Sequence, residues 1–116
     1  MEGPSSPRLT VRHGSKIVLV KMEEISAALA RGRYVGLVAN GSEMLVDETL
    51  DELATQLDPG RFFRVHRSAI VNLEHLRELK RVGDRKYFAV LNDPGQTKAP
   101  VSRDRLAALK AKLGIT

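Results

Sequence analysis

The stretch that decides the fold class is YVGLVANGSEMLV, residues 34–46. Tyr34–Ala39 is a short apolar run bounded by turn residues, which reads as a strand. Asn40-Gly41 follows, and both residues tolerate the positive φ that a tight primed turn demands. Residues 43–46 then return as a second strand. Upstream, residues 9–12 and 16–20 flank His13-Gly14-Ser15 and read as another hairpin. Residues 25–30 stay undecided, because their alanines favour a helix and their length favours a strand. Downstream, Asp47 is placed as an N-cap. Leu50, Leu53, Ala54 and Leu57 after it have the spacing of one helical face, and Asp58-Pro59-Gly60 ends that helix. Phe62–His66 and residues 69–71 read as short extended segments. Leu76–Val82 and Lys86–Leu91 form a hairpin about Gly83-Asp84, with its register open. A turn at residues 92–95 leads to a last strand at 97–101. Ser102 is then the N-cap of a final helix, with Leu106, Leu109 and Leu113 on its buried side and Gly114 at its end. The expected fold class is mainly β with two short helices.

The chain has 116 residues, room for one domain. Hydrophobic residues at 42% suffice for a core, and charged residues at 28% argue against disorder. There is no cysteine, which excludes disulfides, zinc–thiolate and iron–sulfur sites, and a thiol nucleophile. That absence fits a reducing, cytoplasmic location, the one expected, but is compatible with any compartment. No apolar run approaches the roughly 18 residues of a membrane span. Residues 1–8 read as a flexible linker or an expression remnant, and 9–114 as the domain. The net charge is +5, unevenly spread: residues 1–60 carry six basic and nine acidic side chains, residues 61–116 thirteen and five. An anionic partner for the second half is implied. Aromatics at 4%, with no tryptophan, disfavour a stacking platform for single strands.

Catalytic and metal chemistry find little support. His13, His66 and His75 lack ligand spacing and a carboxylate cluster, so no metal is expected. A hydrolytic triad of Ser68, His66 and Asp84 is not placed together by anything in the sequence. Residues 47–51 (DETLD) read as the acidic start of a helix, and Gly32, Gly36 and Gly41 fit no phosphate-loop spacing. No cofactor and no enzyme activity are expected. Two adjacent helices with a short turn are also missing, so a helix-turn-helix is not expected. What remains is arginine at breaks in the apolar pattern: Arg31, Arg33, Arg64, Arg67, Arg103 and Arg105. A guanidinium fork can hold a phosphate or the O6 and N7 of guanine. Charge alone leaves nucleic-acid binding and a solvated basic surface both open.

Residues 62–73 (FFRVHRSAIVNL) carry Phe63, Arg64, His66, Arg67, Ser68, Val71 and Asn72 in an F-x-R-x-H-[RN]-S-x-x-V-N run. With Pro-Val-Ser-Arg at 100–103 and Gly32-Arg33-Tyr34-Val35, this resembles the LytTR DNA-binding domain family. That family supplies the output domains of LytR/AlgR-type response regulators in bacterial two-component systems. The resemblance spans roughly residues 9–113. It implies an elongated multi-sheet β fold that binds double-stranded DNA sequence-specifically for a transcription regulator. Arginine-bearing loops would enter the major groove of bent DNA, two copies on a direct repeat. Carried over by position, Arg33, Arg67 and Arg103 read bases, while Arg31, Ser68, Lys98, Ser102 and Arg105 touch phosphates. His66 and Asn72 look structural, tying the signature loop to neighbouring backbone. Arg33 departs from the family's usual Asn, which leaves the base read there open. The receiver or sensor domain often found before this output domain is missing from the chain, as in an excised domain or a stand-alone regulator. The rival readings are a small β-rich adaptor for an acidic protein partner, and a structured-RNA binder.

Overall fold

The Asn40-Gly41 turn forms with φ of 53° and 80° at its two residues. It joins β4 (Tyr34–Ala39) to β5 (Ser42–Val46) in an antiparallel pair. The fold grows from this hairpin in a computed structural model that describes residues 7–115. The elements before it are β1 (Arg8–His13), β2 (Lys16–Lys21) and β3 (Ile25–Arg31). Those after it are α1 (Leu50–Gln56), β6 (Phe62–His66), β7 (Ala69–Asn72), β8 (Leu76–Val82), β9 (Lys86–Leu91), β10 (Lys98–Val101) and α2 (Arg103–Lys112). Single 3₁₀ turns at Met22–Glu24 and Leu73–His75 lead into β3 and β8.

A five-stranded antiparallel sheet in the order β5-β4-β3-β7-β6 forms the middle layer. The undecided segment is therefore its central strand. Residues 25–29 are all buried, because β3 is covered on both faces, and a doubly covered strand reads as a continuous apolar run without alternation. On one face lie the β1–β2 hairpin and α1, whose Leu9, Val11, Leu50 and Leu53 pack against Ile25, Val35 and Leu37. On the other lie the sheet β10-β9-β8 and α2, whose Ala89, Leu91, Ala99 and Leu109 pack against Ala27, Leu29 and Val71. Leu53 and Leu109 are fully buried, each worth about 1.5–3 kcal/mol relative to exposure. The molecule measures 43 × 37 × 26 Å. Among the described residues, no helix is long and apolar enough to cross a membrane.

Two local expectations change. The N-cap of α1 is Thr49, not Asp47: Thr49 Oγ1 accepts from the Glu52 amide at 3.1 Å, and Glu52 Oε1 accepts from the Thr49 amide at 2.9 Å. This reciprocal capping box satisfies two helix-end donors. Asp47 lies two residues before the cap position, where its amide donates to the Arg12 carbonyl and fastens β5 to β1. The β8–β9 register is now fixed, with Val82 opposite Lys86 and a three-residue turn at 83–85.

Candidate nucleic-acid interface

Strand pairing brings four connections to one end of the molecule. The β3–β4 turn carries Gly32 and Arg33. Leu29 pairs with Ala69, and the Ala30 amide donates to the Ser68 carbonyl at 2.8 Å, so the β6–β7 turn at 67–68 lies beside it. The Ser102 amide donates to the Val65 carbonyl at 2.8 Å, which pins the start of α2 next to β6. Tyr87 pairs with Val101, so the β8–β9 turn flanks that same corner. Arg33, Arg67 and Arg103 thus project from neighbouring corners, and all three are exposed.

Arg64 braces the middle corner. Its Nε donates to the His66 carbonyl at 3.0 Å, one terminal nitrogen to the Arg67 carbonyl at 2.6 Å, and the other to Asp51 at 2.9 Å. Arg105 in turn donates to the Arg64 carbonyl at 3.3 Å. One guanidinium therefore links α1, the β6–β7 turn and, through its own backbone, α2. Asn72 anchors the far end of β7. It is fully buried, donates to the Ile25 carbonyl at 2.8 Å, and accepts from the Glu74 amide at 2.9 Å. This is the tying role that the resemblance implies for it.

The arginines divide by partner. Arg31 grips Glu43 with Nε at 2.6 Å and a terminal nitrogen at 3.0 Å, a bidentate fork. That hydrogen bonding holds the Glu43 carboxyl below its ordinary range and raises the Arg31 guanidinium further. Gly36 permits it, because a Cβ there would collide with the Glu43 carboxylate. Arg61 and Arg77 face Glu74 and Glu78, each at 3.8 Å. Arg33 lies over the Tyr34 ring, 5.5 Å from its centroid. Among the described residues, Arg33, Arg67 and Arg103 have no carboxylate within ion-pair distance. Arg33, Arg64 and Arg67 border one shallow hollow of about 250 Å³.

The other candidates are less uniformly placed. Arg105 is exposed near this end, with one nitrogen engaged on Arg64. The Ser102 hydroxyl is buried with no hydrogen-bond partner among the described residues, so a phosphate would reach it only after a side-chain rotation. Lys98 is exposed but stands at the opposite end of β10 from Arg103, outside the cluster. Ser68 and His66, which the sequence did not bring together, are in contact, with Ser68 Oγ 2.7 Å from His66 Nδ1. The Ser68 amide also donates to Nδ1, at 3.1 Å. Nδ1 is then an acceptor whose single lone pair is shared between the amide and the hydroxyl, which leaves the hydroxyl proton able to turn to another acceptor. His13 and His75 bond backbone carbonyls of Leu45 and Glu23. Sequence reasoning missed the bracing role of Arg64. It also missed Arg81 and Arg85, which share a hollow with Arg103. Their signal was present as the basic density of residues 77–86, but no register connected it to the corner.

Comparison with known proteins gives the family and the fold. The model of the LytTr DNA-binding domain matches residues 15–114. The heme-containing CO-sensing transcriptional regulator RcoM 2 of Paraburkholderia xenovorans is 34% identical over 93% of this chain and 40% of its own length. The sensory transduction protein LytT of Bacillus subtilis is 31% identical over 93% of this chain and 44% of its own length. The chain thus spans less than half of these relatives. A solved LytTr DNA-binding domain from Bacillus cereus superposes with a TM-score of 0.78, covering 96% of this chain and all of its own at 19% identity, which shows a shared fold.

Proposed function

This chain belongs to the LytTr DNA-binding domain family, and from that premise we propose how it reads DNA. Residues 9–114 act as the DNA-binding part of a bacterial transcription regulator, in the cytoplasm, where a receiver or sensor domain elsewhere in the protein supplies the signal. The β3–β4, β6–β7 and β10–α2 corners enter the major groove, with Arg33, Arg67 and Arg103 donating to base edges. Arg31, Ser68, Ser102 and Arg105 meet phosphates beside them, Arg31 with the nitrogens that Glu43 leaves free. Lys98 reaches phosphate only where a bent duplex follows the molecule along β10. Two copies occupy a direct repeat.

The observation that carries this reading is the convergence, by strand register, of three acid-free arginines on one end of a rigid sheet. Backbone-anchored corners hold a guanidinium fork to the tolerance that base reading needs, which a mobile loop does not. The test is selection of bound duplexes from a random pool, followed by titration of Arg67→Ala and Arg103→Ala on the selected duplex and on random DNA. Each substitution is expected to cost about 1–3 kcal/mol on the selected duplex and to relax one base position. A repeated half-site at one-turn spacing is expected. Equal losses on both duplexes would remove the reading role. A pool that yields only diffuse, salt-labile binding would favour the adaptor for an acidic protein, and enrichment of RNA over duplex of the same sequence would favour RNA.

A further inference from the structure

Three cations lie beside Arg103 where the β8–β9 hairpin ends. Arg81 pairs across the ribbon with Tyr87, and Tyr87 pairs with Val101 on its other side. Extending that register two residues sets Arg85 opposite Arg103. Arg81, Arg85, Arg103, Tyr87 and Leu106 border a hollow of about 370 Å³. Lys86 is exposed on the same tip, on the other face of the ribbon, where it borders a second hollow with Arg85 and Arg103, and Lys110 Nζ lies 5.7 Å from the Tyr87 ring centroid. Among the described residues, none of Arg81, Arg85, Lys86 and Arg103 has a carboxylate within ion-pair distance. The acidic groups nearest in sequence form no ion pair with them: Glu78 faces Arg77, and neither Asp84 nor Asp104 comes within ion-pair distance of them. Cations gathered without counter-charge repel one another, which weakens the fold unless an anion is there to collect.

The backbone gives a second, independent sign. Arg85 sits at φ 62°, in the left-handed region that disfavours residues with a Cβ. Gly83 in the same turn has the same φ. A glycine at 85 would relieve that cost, so the arginine is kept for its side chain and not for the turn.

We propose that the β8–β9 tip is a phosphate clamp, in which Arg81, Arg85 and Lys86 hold the DNA backbone flanking the groove that Arg103 enters. The proposal rests on the DNA-reading assignment above and adds a second, sequence-independent grip to it. The tip belongs to a ribbon whose β8 is a sheet edge, and among the described residues no hydrogen-bonded brace like that of Arg64 orients its long side chains. Long, unbraced cations suit the repeating charge of a phosphodiester chain and do not suit a single base edge. The clamp fixes how far the duplex runs past the β10–α2 corner, and so which phosphates lie beside the Arg103 contact.

The experiment is a salt titration of duplex binding by the full chain carrying Arg85→Gly, Arg81→Ala or Arg85→Lys. A lost phosphate contact lowers the slope of log K against log salt by about 0.9. Arg85→Gly is expected to lose that slope on selected and random duplex alike, with a deficit that shrinks about threefold between 50 and 200 mM salt. Its denaturation midpoint is expected to hold or rise, since the left-handed strain is gone. Arg81→Ala is expected to behave alike in binding, and Arg85→Lys to keep the slope. An unchanged slope in both Arg85→Gly and Arg81→Ala overturns the clamp, and leaves the reading role standing if Arg67→Ala still loses preference. A slope lost in Arg85→Gly while Arg67→Ala and Arg103→Ala keep the wild-type sequence preference keeps the clamp and overturns the reading role. Loss confined to the selected duplex would make Arg85 a base reader and refute the clamp.

Discussion

Arg64→Met isolates what the brace of the β6–β7 turn contributes. The methionine keeps most of the aliphatic stem and removes three hydrogen bonds. The bond to the part-buried His66 carbonyl is charge-assisted and worth about 1.5–3 kcal/mol. The bond to the exposed Arg67 carbonyl is worth less, about 0.5–1.5 kcal/mol, because water replaces it. The pair with Asp51, whose side chain is 89% exposed, adds under about 1 kcal/mol. Together the loss is about 2–5 kcal/mol, a large part of the roughly 5–15 kcal/mol that holds a domain of this size. The functional consequence is separable from stability. Residue 67 would swing with its freed peptide, so affinity for a selected duplex should fall more than affinity for random DNA. The salt slope should stay as it is, because Arg64 is committed inside the protein. Urea denaturation gives the first quantity and fluorescence anisotropy on two duplexes the others, with Arg64→Lys as the variant that keeps charge but not the fork. Wild-type stability together with undiminished preference in Arg64→Met would refute the bracing argument. A slope lower by about 0.9 would show that Arg64 itself meets a phosphate.

Other outcomes follow from the same geometry. Asn72→Ala strands the Ile25 carbonyl and the Glu74 amide and should cost about 2–5 kcal/mol, read by denaturant midpoint; a loss under 1 kcal/mol would show that water replaces both bonds. Ser102→Ala removes a hydroxyl that makes no capping bond, so thermal stability should be unchanged where a working cap would lose about 1 kcal/mol. A uniform drop in affinity in that variant would show the hydroxyl turning out to a phosphate. The Glu43 carboxyl titrates below its unfolded value, so the Arg31 pair contributes fully above the ordinary carboxylate range and is lost as pH falls through the lowered value. Glu43→Gln should therefore flatten the acid limb of the stability profile, and it should raise affinity for random duplex by freeing Arg31; an unchanged acid limb would mean the pair is inert.

Much of this protein was legible in the linear chain. The strand–turn–strand at 34–46 forms as read, because Asn40-Gly41 meets a local backbone demand that no distant contact alters. The helix over Leu50–Gln56 and the final helix also follow from local periodicity. Misreadings occurred where tertiary bonds compete with local ones. Asp47 is a good cap by composition, but its backbone stays paired with β1 and the helix begins only at Leu50, so the cap position falls on Thr49. The alanine-rich β3 has no alternation to read, because alternation arises only when one face of a strand meets water.

The site divides along the same line. Sequence alone determined which side chains can do the chemistry: arginines at chain reversals, an Asn able to satisfy two buried backbone groups, and a basic second half. Only the tertiary structure decided which of those arginines are available. Arg31 and Arg64 look in sequence like Arg33 and Arg67, yet Glu43 and the turn carbonyls occupy them. Arg81 and Arg85 reach the Arg103 corner solely through the pairing of β8, β9 and β10. The physical reason is that a residue's conformational preference is set by its near neighbours, whereas the free charge it presents is set by whichever distant group the folded register lays against it.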